Sequence, residues 1–114
     1  MPYIDTTTTK TVTKELKEEL TRAFGKAIEL IPGKSEEWLM LNFNSDAMMA
    51  FRGTDKGGVA MLEVDLFGKA KESDKENLTA ELCEIVSRVL GIPKDRTYVK
   101  YREFDCWGYN GANF

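Results

Sequence analysis

The side chains available for proton chemistry in this sequence exclude most of the usual catalytic arrangements. The 114 residues contain no histidine, and the two cysteines, Cys83 and Cys106, are far apart and form no Cys-x-x-Cys pair. Zinc sites built from cysteine and histidine, histidine-dependent triads and dithiol redox centres are therefore not expected. A proton-transfer site in this chain has to be built from carboxylates, lysines, tyrosines or a chain terminus.

The start of the chain, "MPYIDTTTTK", places a proline directly after the first methionine, at the beginning of a predicted strand. Proline removes a hydrogen-bond donor from a sheet, so it is tolerated at the first residue of a strand and disfavoured in its middle. Pro2 therefore fits a purely structural interpretation, in which it begins a strand and has no further role. Taken alone, the dipeptide favours that interpretation over a chemical one.

Length and charge restrict the class of protein. With 42% hydrophobic and 31% charged residues, the sequence predicts one domain over 1–114 with a modest core. Sixteen basic residues are interspersed with nineteen acidic ones, and the net charge of −3 argues against nucleic acid as a partner. No apolar run approaches the roughly 20 residues of a membrane span, and there is no N-terminal leader pattern. We therefore expect no membrane partner and a cytoplasmic location, with secretion without a signal peptide as the alternative.

The hydrophobic periodicity predicts two amphipathic helices that could position such a site. The first begins after Thr13 and continues, through apolar positions three and four residues apart, until "PG" ends it after Ile31. The second begins at Ser73, which has capping-box spacing with Glu76, and ends at Gly91. Both helices need a sheet against which to bury their apolar faces.

Four segments have the composition of β-strands: "YIDTTTT", "WLMLNFN", "VAMLEVDLF" and "TYVKYREF". Their order along the chain predicts two β-α-β units. The expected fold is α+β, a four-stranded mixed sheet with two helices on one face. Alternate positions of the second and third strands give that face its apolar residues, namely Leu39, Leu41, Phe43, Ala60, Leu62, Val64 and Leu66.

The other face of the predicted sheet mixes large apolar side chains with charged and amide ones. Its members in the second and third strands are Trp38, Met40, Asn42, Asn44, Met61, Glu63, Asp65 and Phe67. A solvated outer face is the ordinary explanation of the polar members. The large apolar members indicate a subunit contact or a wet lumen.

The end of the chain, "CWGYNGANF", completes a series of short motifs that extends over the whole sequence. The others are the initial "MP", "GK" at Gly33 and Lys34, "MAFRG", "FGK" from Phe67 to Lys69, and "IPKDRTYV" before the fourth strand. By itself the tail is an aromatic closing strand with glycine turns. Together and in this order, the motifs resemble the macrophage migration inhibitory factor family of the tautomerase superfamily.

The resemblance implies a fold, an assembly and an activity. It implies a tautomerase-like fold that assembles as a homotrimer, with active sites between subunits and without a metal or organic cofactor. It further implies that Met1 is removed and that the amine of Pro2 is the general base of a keto-enol tautomerase. The implied substrates are phenylpyruvate-like α-keto acids, so the protein is expected to be an isomerase.

The same resemblance assigns the remaining site residues. Lys34 matches the lysine that binds the substrate carboxylate, and Tyr98 matches a pocket tyrosine supplied by a neighbouring subunit. The other residues that match the substrate-binding pocket are Phe67, Trp107, Tyr109 and Phe114, with Tyr3, Trp38 and Lys100 at its rim. Each has an ordinary alternative as a packing aromatic or a surface lysine.

Departures from the family pattern leave the substrate open. Phe67 replaces an isoleucine, Lys100 an asparagine, Trp107 a frequent valine and Tyr109 the usual tryptophan, so the width and charge of the pocket differ. A cytokine-like signalling or host-interaction protein with a secondary or vestigial pocket, acting on an unknown receptor, is the alternative function. A relative that hydrates or decarboxylates unsaturated acids is a third, but its pocket arginines have no convincing match here.

Overall fold

Two β-α-β units, joined through their first strands, form the structure, a computed structural model that describes residues 1–114. The first unit contains β1 (Pro2–Thr8), α1 (Lys14–Ala27) and β2 (Met40–Asn44). The second contains β3 (Ala60–Phe67), α2 (Glu72–Leu90) and β4 (Thr97–Phe104). A short hairpin of β5 (Gly108–Tyr109) and β6 (Ala112–Asn113) follows at the C-terminus.

The four long strands make one mixed sheet in the order β2-β1-β3-β4. β1 pairs parallel with β2 and antiparallel with β3, while β3 pairs parallel with β4. Each β-α-β unit therefore supplies one parallel pair, and the antiparallel β1/β3 pair joins the units at the centre. This architecture confirms the fold predicted from the order of strands and helices.

The core lies between the helices and one face of the sheet. Its sheet side comes from Ile4 of β1 and from alternate residues of β3, and its helix side from apolar residues of α1 and α2. All the β3 residues predicted for this face are buried, namely Ala60, Leu62, Val64 and Leu66. Leu39, Leu41 and Phe43 pack against the same core from the edge of the sheet and are partly exposed.

The helix ends predicted from the sequence agree with the structure at two positions and differ from it at one. Thr13 caps α1 by accepting a hydrogen bond from Leu16 N, and Gly91 ends α2 with a left-handed φ of 70°. The predicted capping box at Ser73 is wrong, because α2 begins at Glu72 and Lys71 occupies its N-cap without a side-chain bond. Ser73 lies inside the first turn instead.

Two further boundaries differ from the prediction. The first helix is α-helical only to Ala27 and tightens into a 3₁₀ turn over Ile28–Leu30. Trp38 lies in a 3₁₀ turn, Glu36–Trp38, rather than in β2. The periodic apolar positions continue through both turns, so the sequence pattern does not mark these changes.

No helix in the structure has both the length and the apolar composition needed to cross a membrane.

Candidate active site

The beginning of β1 forms the centre of the site. Pro2 is buried and opens the strand opposite Leu66 of β3, and the next residue, Tyr3, is the first to pair with β2. A proline at this position costs the sheet little, because the ladder has only begun. In this structure the Pro2 nitrogen belongs to the peptide bond with Met1 and has no basicity.

Lys34 approaches this strand from the turn that follows α1. Gly33, with a φ of 85°, reverses the chain, and Lys34 N donates to Ile31 O at 3.0 Å. The Lys34 ammonium donates to the backbone carbonyl of Phe67 at 2.8 Å. The turn and the C-terminal end of β3 thereby place one cation beside the beginning of β1.

The amino group of Met1 reports the electrostatics of this position. Its pKa is lowered from the ordinary value of 8.0 to about 6, first by burial, then by the charge of Lys34 and a hydrogen bond from it. All three causes disfavour the ammonium form. The Met1 amine, directly before β1, is therefore largely uncharged at neutral pH.

Met1 also occupies the space in front of the strand. Its carbonyl accepts a hydrogen bond from Phe67 N at 3.0 Å. Met1 lines a cleft of about 710 Å³ together with Pro2, Tyr3, Trp38, Trp107 and Tyr109, among others. It also lines a neighbouring cleft of about 380 Å³ that includes Gly33, Phe67 and Phe114. Since Trp38 and Tyr109 border both clefts as well, the two form one depression with Met1 in it.

A row of aromatic rings forms one wall of this depression. Trp38 meets Tyr109 edge-on at 5.1 Å, Tyr109 stacks on Phe114 at 6.4 Å, and Phe114 lies 5.6 Å from Phe67, measured between ring centroids. The β5/β6 hairpin supplies the middle of the row, held in place by a bond from Phe114 N to Trp107 O at 3.0 Å. Such a wall suits a planar apolar group.

Two of the three residues predicted for the rim, Tyr3 and Trp38, line the larger cleft, and the third, Lys100, does not. The pKa of the Tyr3 phenol is raised by burial and then by the nearby carboxylates Asp5 and Asp65, so this hydroxyl stays protonated. Glu37, which no sequence motif predicts as a site residue, also lines the larger cleft. It directly precedes Trp38, but nothing in its spacing marks it as a site residue.

Tyr98 and Lys100 lie away from Pro2 within one chain. Tyr98 pairs with Met61, which pairs with Thr7, so it lies five positions along β1 and two strands across from Pro2. That separation is roughly 16 Å along the strands and about 10 Å across them. Lys100 forms an ion pair with Glu63 at 2.8 Å on the open face of the sheet. Within one chain, Pro2, Lys34 and the aromatic wall therefore lie close together, whereas Tyr98 and Lys100 lie apart from them.

Comparison with known proteins gives one consistent result. The family model described as macrophage migration inhibitory factor matches residues 1–114. The macrophage migration inhibitory factor of Xenopus laevis is 29% identical over 101 residues, which cover 87% of this chain and 84% of that protein.

Solved structures agree with the sequence comparison. The Leishmania major protein named MIF2 superimposes with a TM-score of 0.93 at 26% identity, covering 100% of this chain and 97% of that one. A macrophage migration inhibitory factor homologue from Prochlorococcus marinus superimposes with a TM-score of 0.88 at 25% identity, covering 98% of both chains.

Proposed function

This chain belongs to the macrophage migration inhibitory factor family, and from that premise we propose that it is a keto-enol tautomerase of phenylpyruvate-like α-keto acids. The base is the secondary amine of Pro2, which becomes available when Met1 is removed. The observation that carries the proposal is the position of Pro2, buried at the first residue of β1 and close to the Lys34 ammonium, where the adjoining Met1 amine has its pKa lowered to about 6. A base is most effective when its pKa lies near the working pH.

Removal of Met1 prepares the site in three ways. It converts the Pro2 amide into a free amine beside Lys34, it empties the centre of the aromatic depression, and it frees the Phe67 N–H that Met1 O accepts from. The proline ring limits the rotation of that amine, so little entropy is lost when it is aimed at a substrate. The freed N–H and the Lys34 ammonium are two adjacent donors for a carboxylate.

The reaction then needs only one proton and no cofactor. The Pro2 nitrogen takes a proton from the carbon next to the carbonyl, and the C–H electron pair forms the C=C bond of the enol. The carbonyl π electrons move to oxygen, which receives the proton, and the reverse sequence regenerates the keto acid. Lys34 and Phe67 N–H hold the carboxylate, while Tyr109, Phe114 and their neighbours hold the aryl group.

A homotrimer completes the site in this proposal. Tyr98 is 58% exposed on β4, an edge strand, and lies too far from its own Pro2 to share a substrate with it. A neighbouring copy that pairs with this edge would protect it from aggregation and receive Tyr98 as a wall of its own pocket.

Two preparations that differ only at the N-terminus test the function. The chain is released from one cleavable fusion either with Met1 first or with Pro2 first, each verified by mass spectrometry, and both are assayed for enol-to-keto conversion of phenylpyruvate. We expect activity only with Pro2 first, and loss of that activity in Pro2→Gly. Equal activity in the two preparations would rule out the amine as the base.

A further inference from the structure

A cluster of two aromatic rings and two arginines lies at the end of the sheet away from Pro2. The Phe51 ring meets the Tyr98 ring edge-on, with centroids 5.2 Å apart. The guanidinium carbons of Arg52 and Arg96 lie 5.0 and 5.5 Å from the centroid of the Phe51 ring. Phe51 is therefore the ring that contacts both the cations and Tyr98.

The backbone of Phe51 is fixed by a tight turn. Phe51 N donates to Thr54 O at 2.9 Å and Thr54 N donates to Phe51 O at 3.2 Å. The two residues between them, Arg52 and Gly53, have φ values of 54° and 78°, as in the two-residue turns of hairpins. We call the segment Phe51–Thr54 the arginine turn.

Arg96 attaches the arginine turn to the rest of the protein. Its guanidinium donates to Thr54 O and to Gly58 O, both at 2.7 Å. Arg96 ends the 3₁₀ turn directly before β4, the strand that carries Tyr98. The turn and the tyrosine are thus held to the same short stretch of chain.

Tyr98 itself has few restraints of its own. The hydroxyl of Tyr101 on the same strand bonds to Lys75 O at 2.8 Å and lies 2.8 Å from the Thr79 hydroxyl. The Tyr98 hydroxyl makes no hydrogen bond within the chain, and the side chain is mostly exposed. Its hydroxyl is therefore available to another molecule, and the contact with Phe51 is the aromatic contact that restricts its ring.

We propose that the arginine turn positions Tyr98 for the active site of a neighbouring copy, which makes Phe51 a positioning residue for a reaction centre it does not touch. This inference rests on the proposed function, since it needs a site to which Tyr98 is delivered. An exposed tyrosine that samples several rotamers would adopt the rotamer needed at the neighbouring site only part of the time. The apparent affinity of that site for its substrate falls in proportion to this fraction. The edge-on contact with Phe51 selects one orientation before the subunits meet.

The test compares Phe51→Leu with Phe51→Tyr, both as chains that start at Pro2. Leucine keeps apolar volume in the cluster but loses the edge-on ring, whereas tyrosine keeps the ring. We expect Phe51→Leu to lower kcat/KM for phenylpyruvate roughly 3- to 10-fold, the ratio that corresponds to one aromatic pair. The loss should appear in KM, because a misplaced Tyr98 ring weakens binding of the ground state and of the transition state alike. Phe51→Tyr should remain within about 2-fold of wild type.

A double-mutant comparison and a spectroscopic measurement separate positioning from general damage. In a Tyr98→Ala background, Phe51→Leu should cost nothing further, since there is no ring left to position. In carbon-13 tyrosine-labelled protein, assigned with Tyr98→Phe, the ring resonances of Tyr98 should shift in Phe51→Leu and not those of Tyr3.

The outcomes distinguish this inference from the proposed function. Three results would each overturn the positioning role alone. They are an unchanged kcat/KM in Phe51→Leu, a loss from Phe51→Leu that is just as large in the Tyr98→Ala background, and Tyr98 resonances that do not shift. An inactive wild type with Pro2 at its N-terminus overturns the proposed function and the positioning role with it.

Discussion

At the scale of single residues, the proposed function gives Lys34 a part both in substrate binding and in the protonation state of the base. Its ammonium donates a hydrogen bond to the Phe67 carbonyl, and its charge helps to lower the pKa of the Met1 amine. A carboxylate that enters an aromatic depression loses water, which is tolerable only when a cation and aimed donors replace it. One side chain thus has two separable effects.

We expect Lys34→Ala to weaken arylpyruvate binding by about 1.5–3 kcal/mol, which lowers kcat/KM by about one to two decades. Methyl esters, which lack the charge, should lose much less. Because the amine must be unprotonated to act, and Lys34 favours that form, its loss should also move the acidic limb of the kcat/KM profile to higher pH.

The control for this substitution is Lys17→Ala, an exposed lysine on α1. It should leave acid and ester kinetics unchanged. The double variant Lys34→Ala, Lys100→Ala measures whether a second cation substitutes for the first. Equal responses of acid and ester to Lys34→Ala, with no added effect in the double variant, would make Lys34 a surface lysine only.

At the scale of elements, the β5/β6 hairpin holds its aromatic rings on the site without contributing to the buried core. The double variant Tyr109→Ala, Phe114→Ala should therefore raise KM for an arylpyruvate about 10-fold or more, because two ring contacts are lost. An alkylpyruvate, assayed in parallel, should change little. A similar rise for both substrates would mean that the hairpin shapes the site by another route.

Strand β1 offers a second prediction, about stability. Thr6 is fully buried and its hydroxyl has no hydrogen-bond partner, whereas the buried Thr8 hydroxyl donates to Val59 O at 2.9 Å. Thr6→Val should raise the free energy of unfolding by about 1 kcal/mol, and Thr8→Val should lower it by about the same amount. Urea unfolding of both variants measures the difference, and equal signs would contradict it.

The elements also indicate how much of the structure was predictable. Strands, helices and the apolar face of β3 follow from periodicity, and the left-handed end of α2 follows from Gly91. The start of α2 does not, because Ser73 has the right spacing for a cap that the chain does not use. Lys34 and Phe67 were both named from motifs, but their mutual bond joins residues 33 positions apart and has no local signal.

At the scale of the whole molecule, the distance between Tyr98 and Pro2 bears on how copies of the chain assemble. If each site takes Pro2 from one copy and Tyr98 from another, an inactive Pro2 variant and a Tyr98 variant of low residual activity can complement one another. Pro2→Gly and Tyr98→Ala chains are unfolded together, refolded at equal concentration and assayed. About a quarter of the sites should then contain both native residues, and activity should return to about that fraction.

The controls for complementation are each variant refolded alone and the two mixed without unfolding. Light scattering should give the mass of three chains in every case. A stable and fully active monomer, or a mixture no more active than its parts, would contradict the intersubunit site.

The hydrogen bond from Phe67 N to the Met1 carbonyl holds Met1 in the candidate site. A chain that keeps this residue carries its own occupant, so a preparation in which only some chains have lost it behaves as a mixture of empty and filled sites. Ligand titration of such a sample should reach saturation below one molecule per chain, at the fraction of processed termini. Maximal velocity should scale with that fraction while KM stays constant. The fraction of chains that have lost Met1, measured by mass spectrometry, therefore sets the apparent turnover number of a preparation.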